Sequence, residues 1–167
     1  TGNSSAYTLL ENRTGEMQAS NIALYFIDFD YLSSYKIPIV AGRSFSTEYP
    51  SDSVEALVVN EATAASLGYT DPEEIIGKKF SQWGRDGQVI GVIKDFHFQS
   101  LKEKIGPLTM RIQPERFKLF SISIDAKDIR NTVGTIERYF KEAVPSRPVD
   151  YYFLDEAFDN QYRADER

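Results

Sequence analysis

The chain has 167 residues, 41% hydrophobic and 13% aromatic, enough apolar mass to bury a core and exclude disorder of the chain as a whole. Its formal net charge is −6, and its 19 Lys and Arg are scattered, which argues against a nucleic-acid surface and the concentrated basic footprint such a surface needs. With no cysteine and one histidine, disulfides, thiolate metal sites and histidine-rich metal sites are excluded, while the redox compartment stays open.

No stretch approaches the roughly 18 consecutive apolar residues of a membrane span. The chain opens on Thr1 without a signal peptide and reads as an excised piece of something longer, or as a mature product.

Residues 1–21 are polar and glycine-bearing, and only Tyr7, Leu9 and Leu10 suggest a short strand. Two Asn-x-Ser/Thr triplets, at Asn3 and Asn12, are near chance for so polar a stretch. Asn21 to Phe29 is apolar on both faces and predicts a strand. Asp30 then caps a short helix carrying Tyr31, Leu32 and Tyr35, which must stop before Pro38. Ile39 to Ala41 runs into the turn Gly42-Arg43-Ser44-Phe45, and Glu48 to Ser53 is a loop. Arg43 beside a glycine is either a ligand fork or, its commoner use, a tie from the loop to a nearby carboxylate or carbonyl.

Ala56 to Val59 predicts a short buried strand that delivers Asn60 as N-cap of a helix over Glu61–Leu67, closed by Gly68. Asp71-Pro72-Glu73-Glu74 starts another helical turn, with Asp71 capping, Pro72 in the first position and Glu74 reaching back, and Gly77 ends it. Glu73 and Glu74 look like paired catalytic carboxylates, but at a helix start the macrodipole explains them better.

Lys78 to Leu101 is the densest stretch. It predicts two strands joined at Asp86-Gly87, a dipeptide suited to a tight type I′ turn. The second arm, Gln88 to Phe98, carries Val89, Ile90, Val92 and Ile93 and is expected to run through the middle of the fold. Gly91 inside it implies a bulge or a close backbone approach. Beyond lie an amphipathic turn at Leu101–Ile105, a break at Gly106-Pro107 and a strand from Leu108 to Ile112. Lys118 to Asp125 alternates, with Phe120, Ile122 and Ile124 opposing Ser121 and Ser123, and predicts a strand. Asp128 then caps a helix with one apolar stripe, Ile129, Val133, Ile136, Phe140 and Val144, ended by Pro145. A strand over Val149–Leu154 and a last helix from Asp155 complete the chain. The strand-helix-strand run from Lys118 to Leu154 is a βαβ-like or split unit, so the fold class is α+β.

No enzyme signal emerges. Asp95 and His97, two apart on the expected strand, share a face and can meet, but a hydrolase needs a nucleophile and an oxyanion hole besides. There is no G-x-S-x-G elbow, phosphate-binding loop or dinucleotide fingerprint. His97 therefore reads as a structural or rim residue. Trp83 beside Gly84 is either an exposed interface anchor or a cover for the hairpin base. No catalytic, cofactor or metal residue is assigned, and partner-binding residues stay undefined.

Four stretches carry a family resemblance: YFIDFDYLSSYKIPIVAGRSF (25–45), LVVNEATAASLGY (57–69), DPEEIIGKKF (71–80) and GQVIGVIKDFHFQSL (87–101). In this order they resemble the extracytoplasmic core domain of MacB/FtsX-like ABC transporter permeases, most specifically at Gly42–Phe45, Val59–Glu61 and Val92–His97. Tyr152 to Arg167 looks like the approach to the transmembrane helix that follows such a domain.

The resemblance implies two lobes: a porter-like split βαβ lobe from 1–55 and 113–167, and an inserted hairpin and helix lobe from 56–112. It implies a non-catalytic domain on the periplasmic face of the bacterial inner membrane, working with a cytoplasmic ATPase subunit and with an adaptor or substrate protein outside. The N-terminal part is shorter and more polar than the family's usual opening strand and helix. An open sheet edge in the porter-like lobe would then favour a dimer of the fragment. The reading kept beside it is an extracytoplasmic small-molecule sensor with a pocket between lobes.

Overall fold

The computed structural model describes residues 4–98 and 104–155. The chain divides into two compact units, residues 1–119 and 120–167.

The first unit begins with the longest hairpin. β1 (Ser4–Glu11) pairs antiparallel with β2 (Met17–Phe26) along its whole length, from Ser4 opposite Leu24 to Glu11 opposite Met17. Its turn is held by one side chain: Asn12 Oδ1 accepts from the Thr14 N–H at 3.0 Å, the Thr14 hydroxyl at 2.8 Å and the Glu16 N–H at 3.0 Å, while Gly15 takes φ 88°. Residues 1–21, expected to be mostly loop, thus supply a full strand and the first half of the next. Their inward positions are Ala6, Thr8 and Leu10, all buried, and two of the three are small or polar, which hides the alternation.

The other strands are β3 (Ile39–Gly42), β4 (Ala56–Asn60), β5 (Lys79–Gln82), β6 (Arg85–Ile93) and β7 (Leu108–Arg111). They join in the order β3-β6-β4-β7-β2-β1-β5, and β5 also pairs with β6, so six strands close on themselves and β3 flanks the far half of β6. β4–β6 and β2–β7 are parallel and the remaining pairs antiparallel. Closure leaves few edges exposed.

Strand alternation sorts side chains into two cores. Leu10, Ile22, Leu57, Val59, Phe80 and Val89 share one, which extends to Leu67, Tyr69 and Ile75 at one end of the closed sheet. Val58, Leu108, Met110 and Ile93 face the other side, under Ile27, Leu32 and Phe45. Three short helices join these strands: α1 (Tyr31–Ser34), α2 (Asp52–Glu55) and α3 (Glu61–Ser66). α3 starts as its sequence predicts, with Asn60 Oδ1 accepting from the Thr63 N–H at 3.1 Å, and Gly68 follows it at φ 85°. Asp71 accepts from the Glu73 N–H at 3.0 Å and starts a 3-10 turn over Pro72–Ile75, after which Gly77 takes φ 80°.

Gly91 serves both predicted purposes: the β4–β6 register shifts beside it, and a Cβ there would collide with the Arg43 carbonyl oxygen. The expected arm to Phe98 ends at Ile93. Asp95 and Lys94 leave the sheet, with Lys94 N donating to the Pro38 carbonyl at 2.9 Å.

In the second unit the helix is present as α4 (Ile129–Ala143). Asp128 sits at its N-cap without capping the backbone, accepting instead from the Asn131 side chain at 2.9 Å. The strands expected over 118–125 and 149–154 do not form among the described residues. Phe120 is 89% exposed, and alternation without a neighbouring strand leaves backbone groups no ladder to join. The helix expected from Asp155 falls mainly on residues outside the described ones. β2 and β3, placed in the 1–55 part, bond to β7 and β6 of the 56–112 part in one sheet, and the boundary between compact units lies at residue 119.

Candidate functional site

The β5–β6 turn is the focus of the site, and it lies three residues before the expected Asp86-Gly87. Gln82 pairs with Arg85, leaving Trp83 (φ 50°) and Gly84 (φ 72°) as a two-residue loop with both φ angles positive, as a type I′ turn requires. Gly87 instead faces Phe80 within the ladder, where any Cβ would collide with the Glu55 carbonyl oxygen. The glycine that suggested a turn is there for close backbone approach. Trp in the left-handed region costs about 1–2 kcal/mol relative to ordinary backbone, and Trp83 also remains 51% exposed.

Beneath Trp83 lies Arg111, 3% exposed, on the inward face of β7. Its guanidinium carbon stands 5.6 Å from the Trp83 ring and 5.5 Å from the Phe26 ring, and the two rings are 6.4 Å apart. All its hydrogen-bond partners are neutral. Nε and Nη2 donate to Gln113 Oε1 at 3.1 and 2.5 Å, and Nη1 donates to the Gln82 carbonyl and to Gln82 Oε1 at 3.2 Å each. Gln82 Nε2 in turn donates to the hydroxyls of Thr8 at 2.8 Å and Thr109 at 3.0 Å, so a polar chain crosses the closed sheet. Among the described residues no buried side-chain polar atom lacks a partner.

Burial pushes Arg111 down to about 10, helped by the charges of Arg85 and Arg116 and opposed by that of Glu115. Arg85 shares this end of the sheet and donates through Nη1 to the Ser53 and Ile112 carbonyls at 2.9 Å each. Among the described residues neither Arg85 nor Arg111 forms an ion pair.

Of the residues weighed in the sequence, Arg43 is a tie to both a carboxylate and a carbonyl. It grips Asp52 through two bonds of 2.6 and 2.9 Å, donates to the Ser44 carbonyl at 3.1 Å and lies 4.1 Å over the Tyr49 ring. Burial would raise the Asp52 carboxyl, but the Arg43 bonds, the Ser46 N–H at 2.9 Å and the Arg43 charge outweigh it and hold it below its ordinary value.

Asp95 Oδ1 accepts from the Ala62 N–H at 3.0 Å, while the Asp95 N–H donates to Glu61 Oε2 at 3.0 Å. Asp95 is thus engaged at the start of α3, and among the described residues no bond joins it to the exposed His97. Glu74 meets Arg13 at 3.4 Å.

Arg85, Gln82, Phe26 and Arg111 escaped sequence reasoning. The legible signal was a charge inside a buried strand, Arg111 between Met110 and Ile112.

No family model and no curated protein matches the sequence. Solved structures do. The periplasmic region of MacB from Actinobacillus actinomycetemcomitans aligns at 18% identity and TM-score 0.52, covering 84% of this chain and 64% of that one. The extracellular domain of the noncanonic ABC-type transporter YknZ from Gram-positive bacteria aligns at 20% and 0.60, covering 87% and 74%. A domain of a putative permease protein from Porphyromonas gingivalis aligns at 11% and 0.50, covering 94% and 83%. The chain therefore spans less than two thirds of the MacB region. The chain has the fold of the extracytoplasmic domains of MacB-like ABC transporter permeases, in agreement with the motifs at Gly42–Phe45, Val59–Glu61 and Val92–His97.

Proposed function

We propose that the chain is a non-catalytic extracytoplasmic domain of an ABC transporter permease. It stands on the periplasmic or outer face of the membrane and passes motion driven by a cytoplasmic ATPase subunit to an adaptor or substrate protein outside. The observation that carries this reading is the shared fold with the YknZ extracellular domain over 87% of the chain. No helix of the described residues is long and apolar enough to cross a membrane, so in this reading the spans are supplied by other segments.

The test is the native coding sequence and the native protein. A run of about 20 apolar residues within thirty codons of Arg167, and recovery of the protein from the membrane fraction together with an ATPase, are expected. A polar continuation with recovery in the soluble fraction overturns the reading.

A dimer of the isolated chain belongs to the same proposal. Phe120, Ile122 and Ile129 leave apolar surface exposed in the second unit for another copy. A monodisperse monomer by light scattering at high concentration would count against it. The sensor reading stands second, because it wants apolar walls around a few converging polar groups. A concavity of about 520 Å³ in the second unit is instead lined by Glu137, Lys141 and Arg147 with Pro145 and Pro148.

A further inference from the structure

The two ends of the closed sheet are finished differently. At one, α3 and the Pro72–Ile75 turn bury Ala64, Leu67 and Ile75 against Leu10 and Phe80. At the other, Arg111 lies under the rings of Phe26 and Trp83.

Three features of this second end are costly unless something binds there. Trp83 is held in the left-handed region at φ 50°, where Asn or Gly fits without strain, and its ring is still half exposed. Arg85 opens the strand that leaves the turn, and the charges of Arg85 and Arg116 both act on Arg111, with Glu115 as the acidic group among them, although the chain as a whole carries a net charge of −6. Glutamines satisfy the Arg111 donors, and among the described residues Glu115 is held by Gln113 Nε2 at 2.9 Å rather than in an ion pair, so one carboxylate stands against three arginines and a net positive field remains.

We infer that this end of the closed sheet docks an acidic segment of a partner protein, with a carboxylate on Arg85 and Arg116 and a proline or aromatic side chain against the exposed face of Trp83. The surface names the chemistry of the partner segment, and it rests on the reading of the chain as an interaction domain. Guanidinium groups favour carboxylates through paired donors, and a half-exposed Trp on a rigid turn offers flat area at little entropic cost.

The purified chain is panned against a displayed library of random dodecapeptides, and the enriched peptides are synthesised. Binding is followed by the fluorescence anisotropy of the dye-labelled peptides. Enriched sequences pairing Asp or Glu with Pro or an aromatic residue are expected. Affinity should fall about tenfold in R116E, in W83N and when the peptide's Glu is replaced by Gln, and it should weaken with salt. W83N suits the turn, so its loss of binding is separable from unfolding, and circular dichroism checks that directly. Absence of enrichment, enrichment without acidic residues, or equal binding by R116E overturns the proposal. So does preferential binding to vesicles with 30% anionic lipid, which would make this end a membrane-facing surface. Membrane recovery of the native protein is unaffected by any of these outcomes, so the permease reading fails or stands separately.

Discussion

At the scale of single residues, Asp52 and Trp83 show opposite uses of local cost. Asp52 is buried and gripped by Arg43 and the Ser46 N–H. Because its folded pKa is lowered, its stabilisation is complete above the unfolded value of about 3.9 and is lost as pH falls through the folded value. Asp52→Asn should cost about 1–3 kcal/mol at neutral pH, discounted because Arg43 is part exposed and water can replace its partner. Urea titrations of both forms should converge as pH falls below about 4, and a pH-independent gap would contradict this ionic account.

Trp83→Asn relieves a left-handed backbone worth about 1 kcal/mol and loses ring contacts with Phe26 and Arg111 of similar size. The expected net change is under about 1 kcal/mol; a loss above about 3 kcal/mol would make Trp83 a core residue instead.

Among the elements, α3 is fixed by one side chain. Asn60 Oδ1 accepts from Thr63 N, the Thr63 hydroxyl and Leu108 N, and Nδ2 donates to the Gly106 carbonyl at 2.9 Å. Asn60→Ala removes the cap and leaves buried donors without partners, so a loss of about 2–4 kcal/mol is expected in chemical denaturation. α4 is the contrast: its stripe is well formed in sequence, yet none of its residues is buried. Its amides should exchange with deuterium well before those of β4, whose five residues are all buried. Comparable protection in the two elements would show that something covers α4.

α3, α4 and the caps at Asn60 and Asp71 were legible because they depend on neighbours in sequence, as do the stops at Gly68 and Pro145, whereas Asp30 and Asp128, expected as caps, accept no backbone cap bond on their side chains. The hairpin turn was misplaced because Asp86-Gly87 and Trp83-Gly84 are locally rival signals. Only Glu55, far away in sequence, explains why Gly87 lies within the strand.

At the scale of the whole molecule, the first unit holds the seven strands and two apolar cores found among the described residues. A chain ending at Leu119 should keep a cooperative melt with its near-ultraviolet circular dichroism intact; loss of the transition would mean that the units fold only together.

By itself the sequence determined the α+β class, the buried character of 56–59 and 89–93, the caps at Asn60 and Asp71, and the motifs whose likeness the fold later matched. These follow from composition and from interactions over a few residues. Tertiary structure decided that 4–11 is a strand, that β5 closes back onto β6, and that Arg111 meets Trp83 and Phe26 at one end of the sheet. Those outcomes depend on which distant strands pair and which backbones approach closely. Hydrogen bonds between residues some 70 apart, such as Gln82 to Thr8, leave no periodic trace in the chain.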